Sequence, residues 1–259
     1  MNTLRHNQLD GDHQERIETA YRALRACRSD STSRRRDDLD QCPATNKTTI
    51  RRLSLLLGLN ELEERQVLLL GDDDLLSIAI AAAGLSTRVT VIDLDHSLLE
   101  RIERWTKTDA VQLVNADLRS GLPTGLAGNF DLVFTDPPYT PAGQLLFLGR
   151  GLSALRRARS SSLFLCASRF YLGAERIKMI LRAAESAGLH LVGSHENFNE
   201  YKAPPDVAED IRLRDTSANP LLFHSSLFYL KPRCDFLSLN SFPFLDEDIY
   251  NYEKEQVSS

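Results

Sequence analysis

The chain reads Val67-Leu68-Leu69-Leu70-Gly71-Asp72-Asp73-Asp74-Leu75-Leu76-Ser77 at the point that decides its fold. The apolar run up to Leu70 is typical of a buried parallel strand, Gly71 of a tight loop, and the residues from Leu75 of a helix. In open α/β sheets the ligand binds beyond the carboxyl ends of the strands, so the three aspartates are predicted to face the ligand crevice. A loop that holds phosphate usually has several glycines, whereas one glycine followed by three carboxylates repels an anion. The ligand is therefore predicted to carry positive charge.

Helix capping offers a second explanation for part of this acidic run. Aspartate is favoured at the start of a helix, where its carboxylate accepts hydrogen bonds from unpaired N–H groups and interacts well with the helix dipole. One of Asp72, Asp73 and Asp74 is expected to cap the helix that follows. Capping needs only one acid, and three adjacent like charges repel each other, so at least one of the others is predicted to be functional.

Composition favours one globular α/β domain with a short appendage at each end. The chain has 259 residues, of which 42% are hydrophobic and 26% charged, and this is enough for a large core. We assign a helical and linker appendage to residues 1–39, the α/β domain to 40–232, and an acidic, aromatic-rich tail to 233–259. The four cysteines are widely scattered and form no CxxC pair, so neither a metal site nor a disulfide framework is predicted.

The charge balance limits the class of partner. A net charge of −5 argues against a broad nucleic-acid surface and is compatible with a polycationic small molecule. No apolar run is long enough to span a bilayer, and the first residues lack the apolar core of a signal peptide. A cytoplasmic location without a membrane partner is therefore predicted, and assembly into a homo-oligomer stays open.

Strand and helix patterns alternate along the rest of the chain. Helical spacing predicts helices over 14–27 and 48–56, ahead of the first strand. The alternation that follows predicts seven strands, mostly parallel, with helices on both faces of the sheet. The segment from His195 to Tyr201 is expected to be a polar strand exit, and Ala203–Pro220 a flap over the crevice. The strands after the first are predicted within 88–95, 111–117, 130–139, 162–168, a segment that begins at 189, and 225–231.

Acidic residues follow the second and third predicted strands as well. Asp93 lies 93 − 71 = 22 positions after Gly71, close to the roughly 20 residues at which an acid after the second strand reaches a ribose hydroxyl. Asp93 is therefore the candidate ribose ligand and Asp95 a second candidate, although capping of the next helix suits Asp95 better. Asp117, after the third strand, is placed to accept a hydrogen bond from an adenine amino group.

The fourth strand ends in Asp136-Pro137-Pro138-Tyr139. The two prolines fix φ and remove two N–H donors, which holds the Asp136 carboxylate and the Pro137 carbonyl as acceptors facing the crevice. Tyr139 adds a flat aromatic wall. Acceptors without donors suit an amine nucleophile, which must be oriented through its N–H groups and relieved of a proton.

Together these features resemble the S-adenosylmethionine-dependent transferase fold, the Rossmann-like sheet of the methyltransferases. The Asp-Pro-Pro-Tyr turn alone looks like that of the amino-methyltransferases of nucleic-acid bases, which use it to hold an exocyclic amine. A fuller set of motifs resembles the branched-chain polyamine synthases, the N4-bis(aminopropyl)spermidine synthase family, over roughly residues 40–231. Those motifs are Gly71-Asp72-Asp73-Asp74-Leu75-Leu76-Ser77, Asp93-Leu94-Asp95, Asp117-Leu118-Arg119, the segment 135–143 and Phe147-Leu148-Gly149-Arg150-Gly151, together with Asp40-Gln41 and the helix over 48–52.

The resemblance implies transfer of an aminopropyl group from decarboxylated S-adenosylmethionine, as co-substrate, to a polyamine amine. An example is N4-aminopropylation of spermidine in branched polyamine synthesis, and methylthioadenosine is released. The acidic loop agrees with this donor. Intact S-adenosylmethionine has a carboxylate that three aspartates would repel, at about 1 kcal/mol per close pair even in a high dielectric. Decarboxylation leaves a cationic arm.

On this interpretation the residues after the strands fall into three groups. One carboxylate takes a proton from the attacking amine, because a protonated amine has no lone pair, and the sequence leaves open whether this is Asp73 or Asp136. The assignments are Asp73 and Asp136 for catalysis, Asp72, Asp74, Pro137 and Tyr139 for substrate binding, and Gly71, Asp93, Asp95 and Asp117 for the adenosyl donor.

The chain departs from the family at its N-terminus. The family typically has a winged-helix-like domain ahead of the catalytic domain, and the roughly forty residues before Asp40 are too few for one. The resemblance therefore leaves the acceptor and the oligomer contacts unassigned.

Two other functions remain as alternatives. One is an S-adenosylmethionine-dependent amino-methyltransferase that uses the Asp-Pro-Pro-Tyr turn on a nucleic-acid base or a small amine. Against it, the arginines cluster only at 34–36 and 150–157 and form no broad basic surface. The other is a polyamine sensor that binds spermidine through the acids without chemistry, and it would bind spermidine even when Asp136 is removed.

Overall fold

The computed structural model of the protein describes residues 11–30, 36–39, 41–106, 109–203, 205–214, 219, 222–233 and 249. Asp40 and nearly all of the predicted tail lie outside the described residues, as do 204, 215–218 and 220 of the predicted flap segment. No helix among the described residues is long and apolar enough to cross a membrane.

Helices and strands alternate from α2 onwards, except that only a short 3₁₀ turn lies between β3 and β4. Two short 3₁₀ turns, Asp37–Leu39 and Leu118–Ser120, lie in the connections. In chain order the elements are α1 Gly11–Ser29, α2 Asn46–Gly58, β1 Gln66–Leu70, α3 Leu76–Ala82, β2 Arg88–Asp93, α4 His96–Thr106, β3 Val111–Asn115, β4 Leu132–Thr135, α5 Pro141–Ala154, β5 Ser162–Ala167, α6 Arg169–Ser186, β6 Leu189–Lys202, α7 Pro205–Arg214 and β7 Leu222–Pro232.

The seven strands form one sheet in the order β3-β2-β1-β4-β5-β7-β6. The pairs among β1 to β5 are parallel, and β7 runs antiparallel to both of its neighbours, β5 and β6. The predicted seven-stranded, mostly parallel Rossmann-like sheet is therefore confirmed. The strand order reverses between β1 and β4, and in open α/β sheets such a switch point is where ligands bind.

Strand register brings the predicted site segments together. Leu70, the last residue of β1, pairs with Ile92 of β2 and with Thr135 of β4. The Thr135 hydroxyl also donates to the Leu70 carbonyl at 3.0 Å. The three strands therefore end level with one another, and the loops that leave them share one edge of the sheet.

Alternate residues of β1 enter separate cores on the two faces of the sheet. Val67 and Leu69 belong to a cluster with helices α1 to α4, whereas Leu68 and Leu70 belong to one with α5 and α6. A strand that is buried on both faces must be apolar throughout, which explains the continuous run in the sequence. Helix α1 joins the first cluster, where its residues Ala20, Leu24 and Cys27 are fully buried.

The segment that contains β6 and α7 differs from the sequence-based expectation. The segment from His195 to Tyr201, expected to be a polar exit, continues β6 and pairs with β7 as far as Lys202. The pairing is irregular between His195 and Asn199, where Asn197 has a φ of 50°, and this break hides the strand alternation. Within the predicted flap segment, 205–214 forms α7, whose Ile211 is buried against Tyr201.

Replacing Gly151 of α5 by valine should lower the free energy of unfolding by about 1–3 kcal/mol, the usual effect of overpacking a core. A Cβ atom at this position would lie 3.0 Å from a methyl carbon of Leu163 and 3.1 Å from one of Val133, both in the sheet. Urea unfolding would measure the change. Gly151→Ala, which adds a single carbon, is the graded control and should have a smaller effect. A valine variant as stable as the wild type would contradict the close approach of α5 to the sheet.

Candidate active site

The loop after β1 begins with a glycine that is held against the end of β2. Gly71 has a φ of +73°, which glycine adopts without strain, and its N–H donates to the Ile92 carbonyl at 2.9 Å. The Asp93 carboxylate accepts from the backbone N–H of Asp72 at 3.1 Å and from that of Asp95 at 2.8 Å. Burial raises the pKa of Asp93 to about 6. Asp93 thus links the β1 and β2 loops through backbone donors.

Asp72 takes the capping role that was expected for one of the three aspartates. Its carboxylate accepts from the Leu76 N–H at 2.8 Å, from the Ser77 N–H at 3.2 Å and from the Ser77 hydroxyl. The side chain is buried, and burial raises the pKa of Asp72 to about 7, against the opposing effect of these donors. Asp72 therefore faces the first turn of α3.

Asp74 is ion-paired inside the protein. One carboxylate oxygen accepts from Nη1 of Arg52, and the other accepts from the backbone N–H of Ala44. The side chains of Arg52 and Asp74 are only 1% and 5% exposed. The guanidinium of Arg28 lies close by and donates to the Asp74 carbonyl at 2.8 Å. Both carboxylate oxygens of Asp74 are thus already used within the protein.

Asp136 is bound by the same guanidinium. Its Oδ2 accepts from Nη2 of Arg52 at 2.6 Å and from the Tyr201 hydroxyl at 2.5 Å, and its Oδ1 accepts from the Tyr139 hydroxyl at 2.8 Å. Burial raises the pKa of Asp136, although Arg52 and the two phenols oppose this and Asp74 adds to it. Burial also raises the pKa of both phenols, so they remain protonated donors.

A chain of hydrogen-bonded polar side chains fixes the position of Arg52. Its Nε donates to Asn199 Oδ1 at 2.9 Å, and Asn199 Nδ2 lies 2.9 Å from Ser225 Oγ and 3.3 Å from Cys166 Sγ. Ser225 Oγ is in turn 2.8 Å from the Tyr201 hydroxyl. β5, β6 and β7 therefore all contribute to holding the guanidinium in place.

Asp73 differs from its two neighbours. Among the described residues its carboxylate has no hydrogen-bond or ion-pair partner, and its side chain is partly exposed. Burial raises the pKa of Asp73 well above the usual value, and Asp74, Asp136 and Asp93 raise it further. Of the three consecutive aspartates, Asp73 is therefore the one whose oxygens are available to a ligand.

Asp95 and Asp117, the other two acids predicted to bind the adenosyl donor, lie outside the Arg52 network. Asp95 caps α4 by accepting from the N–H and hydroxyl of Ser97, and its second oxygen accepts from Gln41 Nε2 at 3.0 Å. Asp117 pairs with Arg119, whose Nη2 is 2.8 Å away, at the exposed end of β3. Hydrogen bonds and charge from these partners lower the pKa of Asp117, and hydrogen bonds lower that of Asp95 against the effect of burial.

In the double-proline turn both predicted acceptors already have donors nearby, because three side chains donate to Asp136 and Gln144 approaches the Pro137 carbonyl. Gln144 Nε2 lies 3.5 Å from the Pro137 carbonyl and 3.4 Å from that of Pro138, both long contacts. The ring of Tyr139 stacks on that of Tyr171, with the ring centroids 5.8 Å apart. The aromatic wall expected from Tyr139 is therefore extended by the start of α6.

The structure thus brings Asp72 to Asp74, Asp93 and Asp136 together. Asp95 connects to this group by donating its backbone N–H to the Asp93 carboxylate, and Asp117 lies further along the edge, after β3. Sequence reasoning noted the helix that contains Arg52 but not the role of Arg52, and it missed Tyr201 entirely. A polar run in a predicted strand was the only signal for Tyr201. No group of three or more His, Cys, Asp or Glu side chains in the described part of the chain could hold a metal ion.

Comparison with known proteins identifies relatives of this chain. The family described as the branched-chain polyamine synthase A C-terminal domain matches residues 27–219. N(4)-bis(aminopropyl)spermidine synthase of Thermococcus kodakarensis is 32% identical over 166 residues, which are 62% of this chain and 47% of that protein. The chain spans less than half the length of the curated relatives that it matches.

Solved structures show the same fold. The branched-chain polyamine synthase from Thermus thermophilus, in complex with N4-aminopropylspermidine and 5'-methylthioadenosine, has a TM-score of 0.77 and 25% identity, and the match covers 90% of this chain and 69% of that one. A candidate RNA methyltransferase from Pyrococcus horikoshii has a TM-score of 0.61 at 12% identity, over 83% of this chain and 98% of that one. The second match concerns the fold alone, which is that of the S-adenosylmethionine-dependent methyltransferases.

The contribution of Asp72 to stability should fall with rising pH. Its pKa is about 7 in the folded protein and about 3.9 in an unfolded chain, so the folded state binds this proton more tightly. The stabilisation is fully present below about pH 4 and is lost as the pH rises to about 7. Asp72→Asn has no such proton to lose. The unfolding free energy of the wild type minus that of the variant should therefore decrease across this range, by up to several kcal/mol at about 1.4 kcal/mol per pKa unit.

Urea unfolding of both proteins between pH 4 and pH 8 would measure this difference. Asp109→Asn, at an exposed turn before β3, is the matched control and should show no such trend. A difference that stays flat or increases with pH would contradict the effect of burial on Asp72.

Proposed function

The chain belongs to the branched-chain polyamine synthase family, and from that premise we propose that it is an aminopropyltransferase. It moves an aminopropyl group from decarboxylated S-adenosylmethionine to an amine of a polyamine and releases methylthioadenosine. Spermidine, aminopropylated at N4, is the acceptor suggested by the N4-aminopropylspermidine found in the Thermus thermophilus structure.

The observation that carries the proposal is the cluster of carboxylates at the ends of β1, β2 and β4. Five carboxylates lie close enough to influence one another, and the guanidiniums of Arg28 and Arg52 are the positive charges that act on them most. The carboxylates are those of Asp72 to Asp74, Asp93 and Asp136. A cationic ligand relieves this imbalance, whereas the carboxylate of intact S-adenosylmethionine would add to it.

Asp73 is the direct ligand for an ammonium group in this proposal. Its oxygens have no partner among the described residues, so a cation can replace the lost solvation with charge-assisted hydrogen bonds. Asp72 and Asp74 contribute negative charge at short range, while their oxygens remain bound to α3 and to Arg52. The three aspartates therefore serve the substrate through one direct contact, by Asp73, and through the charge of Asp74, to which Asp72 adds as it ionises near pH 7.

The chemistry needs little beyond position and charge. The lone pair of the acceptor nitrogen forms a bond to the propyl carbon beside the sulfonium, the carbon–sulfur bond breaks, and its electron pair neutralises the sulfur. Before the attack, Asp73 or Asp136 frees that lone pair by taking a proton from the acceptor ammonium, and the proton then passes to solvent. Because the leaving group carries its own driving force, holding nitrogen and carbon in line supplies most of the rate enhancement.

The nucleoside end of the donor is assigned to the loops after β2 and β3. The oxygens of Asp93 are oriented by backbone N–H groups, and each retains a lone pair for a ribose hydroxyl. Gly71 leaves space beside Asp93, because even a Cβ atom there would stay 4.0 Å from its Oδ2. Asp95 fixes the loop from the other side, and Asp117 is proposed to bind the adenine amino group.

The double-proline turn is assigned to the acceptor amine. Asp136 and the Pro137 carbonyl accept N–H hydrogen bonds, and the ring of Tyr139 lies beside the methylene chain. No donor other than the long Gln144 amide contact lies near the Pro137 carbonyl in the described chain, so an amine N–H can compete for it.

Mass spectrometry of reaction mixtures tests the proposed reaction directly. Purified protein is incubated with decarboxylated S-adenosylmethionine and, separately, with putrescine, spermidine, spermine or thermospermine. Methylthioadenosine together with an aminopropylated amine is the expected result and identifies the acceptor. If no product forms with this donor but a methyl group moves from intact S-adenosylmethionine to an amine, the protein is a methyltransferase. Spermidine binding with no product from either donor would indicate a sensor.

Asp73→Asn should lower turnover by about a hundredfold or more, within the range for loss of an acid or base group. The same change should raise the unfolding temperature, because burial and neighbouring carboxylates disfavour the charge that it removes. Steady-state rates and thermal unfolding would measure the two effects.

Asp109→Asn, which replaces an exposed aspartate, serves as the control and should change neither quantity. An Asp73→Asn variant with wild-type turnover would show that Asp73 is outside the site.

A further inference from the structure

We propose that Arg52 is a positioning residue. It pairs with Asp74, orients Asp136, and leaves one acceptor position, on Asp136 Oδ1, open to the attacking amine. The inference rests on the proposed function, because it concerns how the acceptor nitrogen is oriented there. The inference also predicts how the Arg52 variants bind spermidine, and this binding can be measured without turnover.

A count of lone pairs at Asp136 identifies the open position. Each carboxylate oxygen can accept about two hydrogen bonds. Oδ2 already accepts two, from Arg52 Nη2 and from the Tyr201 hydroxyl, whereas Oδ1 accepts one, from the Tyr139 hydroxyl. With its side chain 14% exposed, Asp136 can be reached from the crevice. An amine N–H is therefore directed to Oδ1.

The guanidinium of Arg52 is fixed at all three nitrogens. Nε donates to Asn199 at 2.9 Å, Nη1 to Asp74 and Nη2 to Asp136. The group is buried and lies over the ring of Phe134, 5.2 Å from its centroid. Such a fork cannot be replaced by a lysine ammonium, which is a single point charge on a flexible stem. Arg52 therefore fixes the direction of Asp136 as well as its charge.

Arg52 also separates the roles of the two flanking acids. Asp74 uses one oxygen for Arg52 and the other for the Ala44 N–H, and its side chain is only 5% exposed, so a substrate has little access to the lone pairs that remain. Asp73 has no such partner in the described chain. The ion pair thus leaves a single loop carboxylate for the ammonium and a single Asp136 oxygen for the nucleophile.

The charges that face Asp136 come from every element around it. Arg52 on α2 is the cation that acts on it most strongly, and it favours the ionised carboxylate against burial. The remaining groups are Asp73 and Asp74 from the β1 loop, Tyr139 from its own turn, Tyr201 from β6 and Cys166 from β5. None of these carries a positive charge. Loss of Arg52 should therefore make Asp136 bind a proton at higher pH.

The test compares wild type with Arg52→Gln, Arg52→Lys and the control Arg51→Gln. Arg51 is on the same helix, and its guanidinium lies over the Phe198 ring, 4.6 Å from the centroid. Spermidine binding is measured by calorimetry between pH 5 and pH 8, where amines with pKa values near 10 keep their charge. Turnover and methylthioadenosine binding are measured in parallel, with thermal unfolding to establish that each variant is folded.

For Arg52→Gln the expected result is turnover at least about tenfold lower, with spermidine binding at pH 8 as tight as in the wild type or tighter. Because loss of Arg52 raises the pKa of Asp136, spermidine binding should weaken at a pH about one unit higher than in the wild type. A nearby opposite charge lowers the pKa of an aspartate by about one to three units, and this expectation is the lower end of that range. Arg52→Lys should restore that pH but not the turnover. Arg51→Gln should match the wild type, and methylthioadenosine binding should be unchanged throughout.

Three outcomes would overturn the inference. They are wild-type turnover in Arg52→Lys, parallel loss of spermidine binding and turnover in a folded Arg52→Gln, and no spermidine binding by the wild type. If Arg52→Gln does not fold, Arg52→Lys together with Tyr201→Phe, which removes the second Oδ2 donor, decides the matter through turnover at unchanged spermidine affinity. Absence of any aminopropylated product from the wild type would refute the proposed function alone, because the binding curves still test Arg52.

Discussion

The guanidinium of Arg52 joins parts of the chain that the sheet alone would leave independent. It lies between the carboxylates of Asp74, after β1, and Asp136, after β4, and it is anchored on β6 through Asn199. Burying an ion costs several kcal/mol, and the cost is offset only when the geometry is good and every polar group has a partner. Here each nitrogen of Arg52 has one. The shape of the crevice therefore depends on an interaction that tolerates little change in any of its members.

Much of the fold follows from sequence pattern because its central strands, β1, β4 and β5, are buried on both faces. Such strands are continuous apolar runs, and parallel strands of similar length end at one edge, so the acids that follow β1, β2 and β4 could be placed together without a structure. The extent of β6 could not. Its pairing breaks near Asn197, and a strand with an irregular register loses the alternation by which strands are identified.

The separate roles of the three aspartates could not be predicted from the sequence. Asp72, Asp73 and Asp74 are chemically identical, and only the directions of their side chains decide which caps the helix, which is ion-paired and which remains available. Arg52 belongs to a helix in which a charged residue usually faces solvent, and its partners Asn199 and Tyr201 are 147 and 149 positions away. No local pattern reports a contact over that separation.

The lack of a bonding partner for the Asp73 carboxylate among the described residues has a consequence for the abundance of the protein in the cell. A half-buried acid without an ion-pair partner among the described residues weakens the folded state, and under the proposed function a bound polycation acts as the missing counter-ion. A ligand that binds only the folded state stabilises it in proportion to the logarithm of its concentration. The fraction of molecules that escapes proteolysis then rises with the supply of substrate. Abundance of the protein would thus follow the polyamine pool without any dedicated regulator.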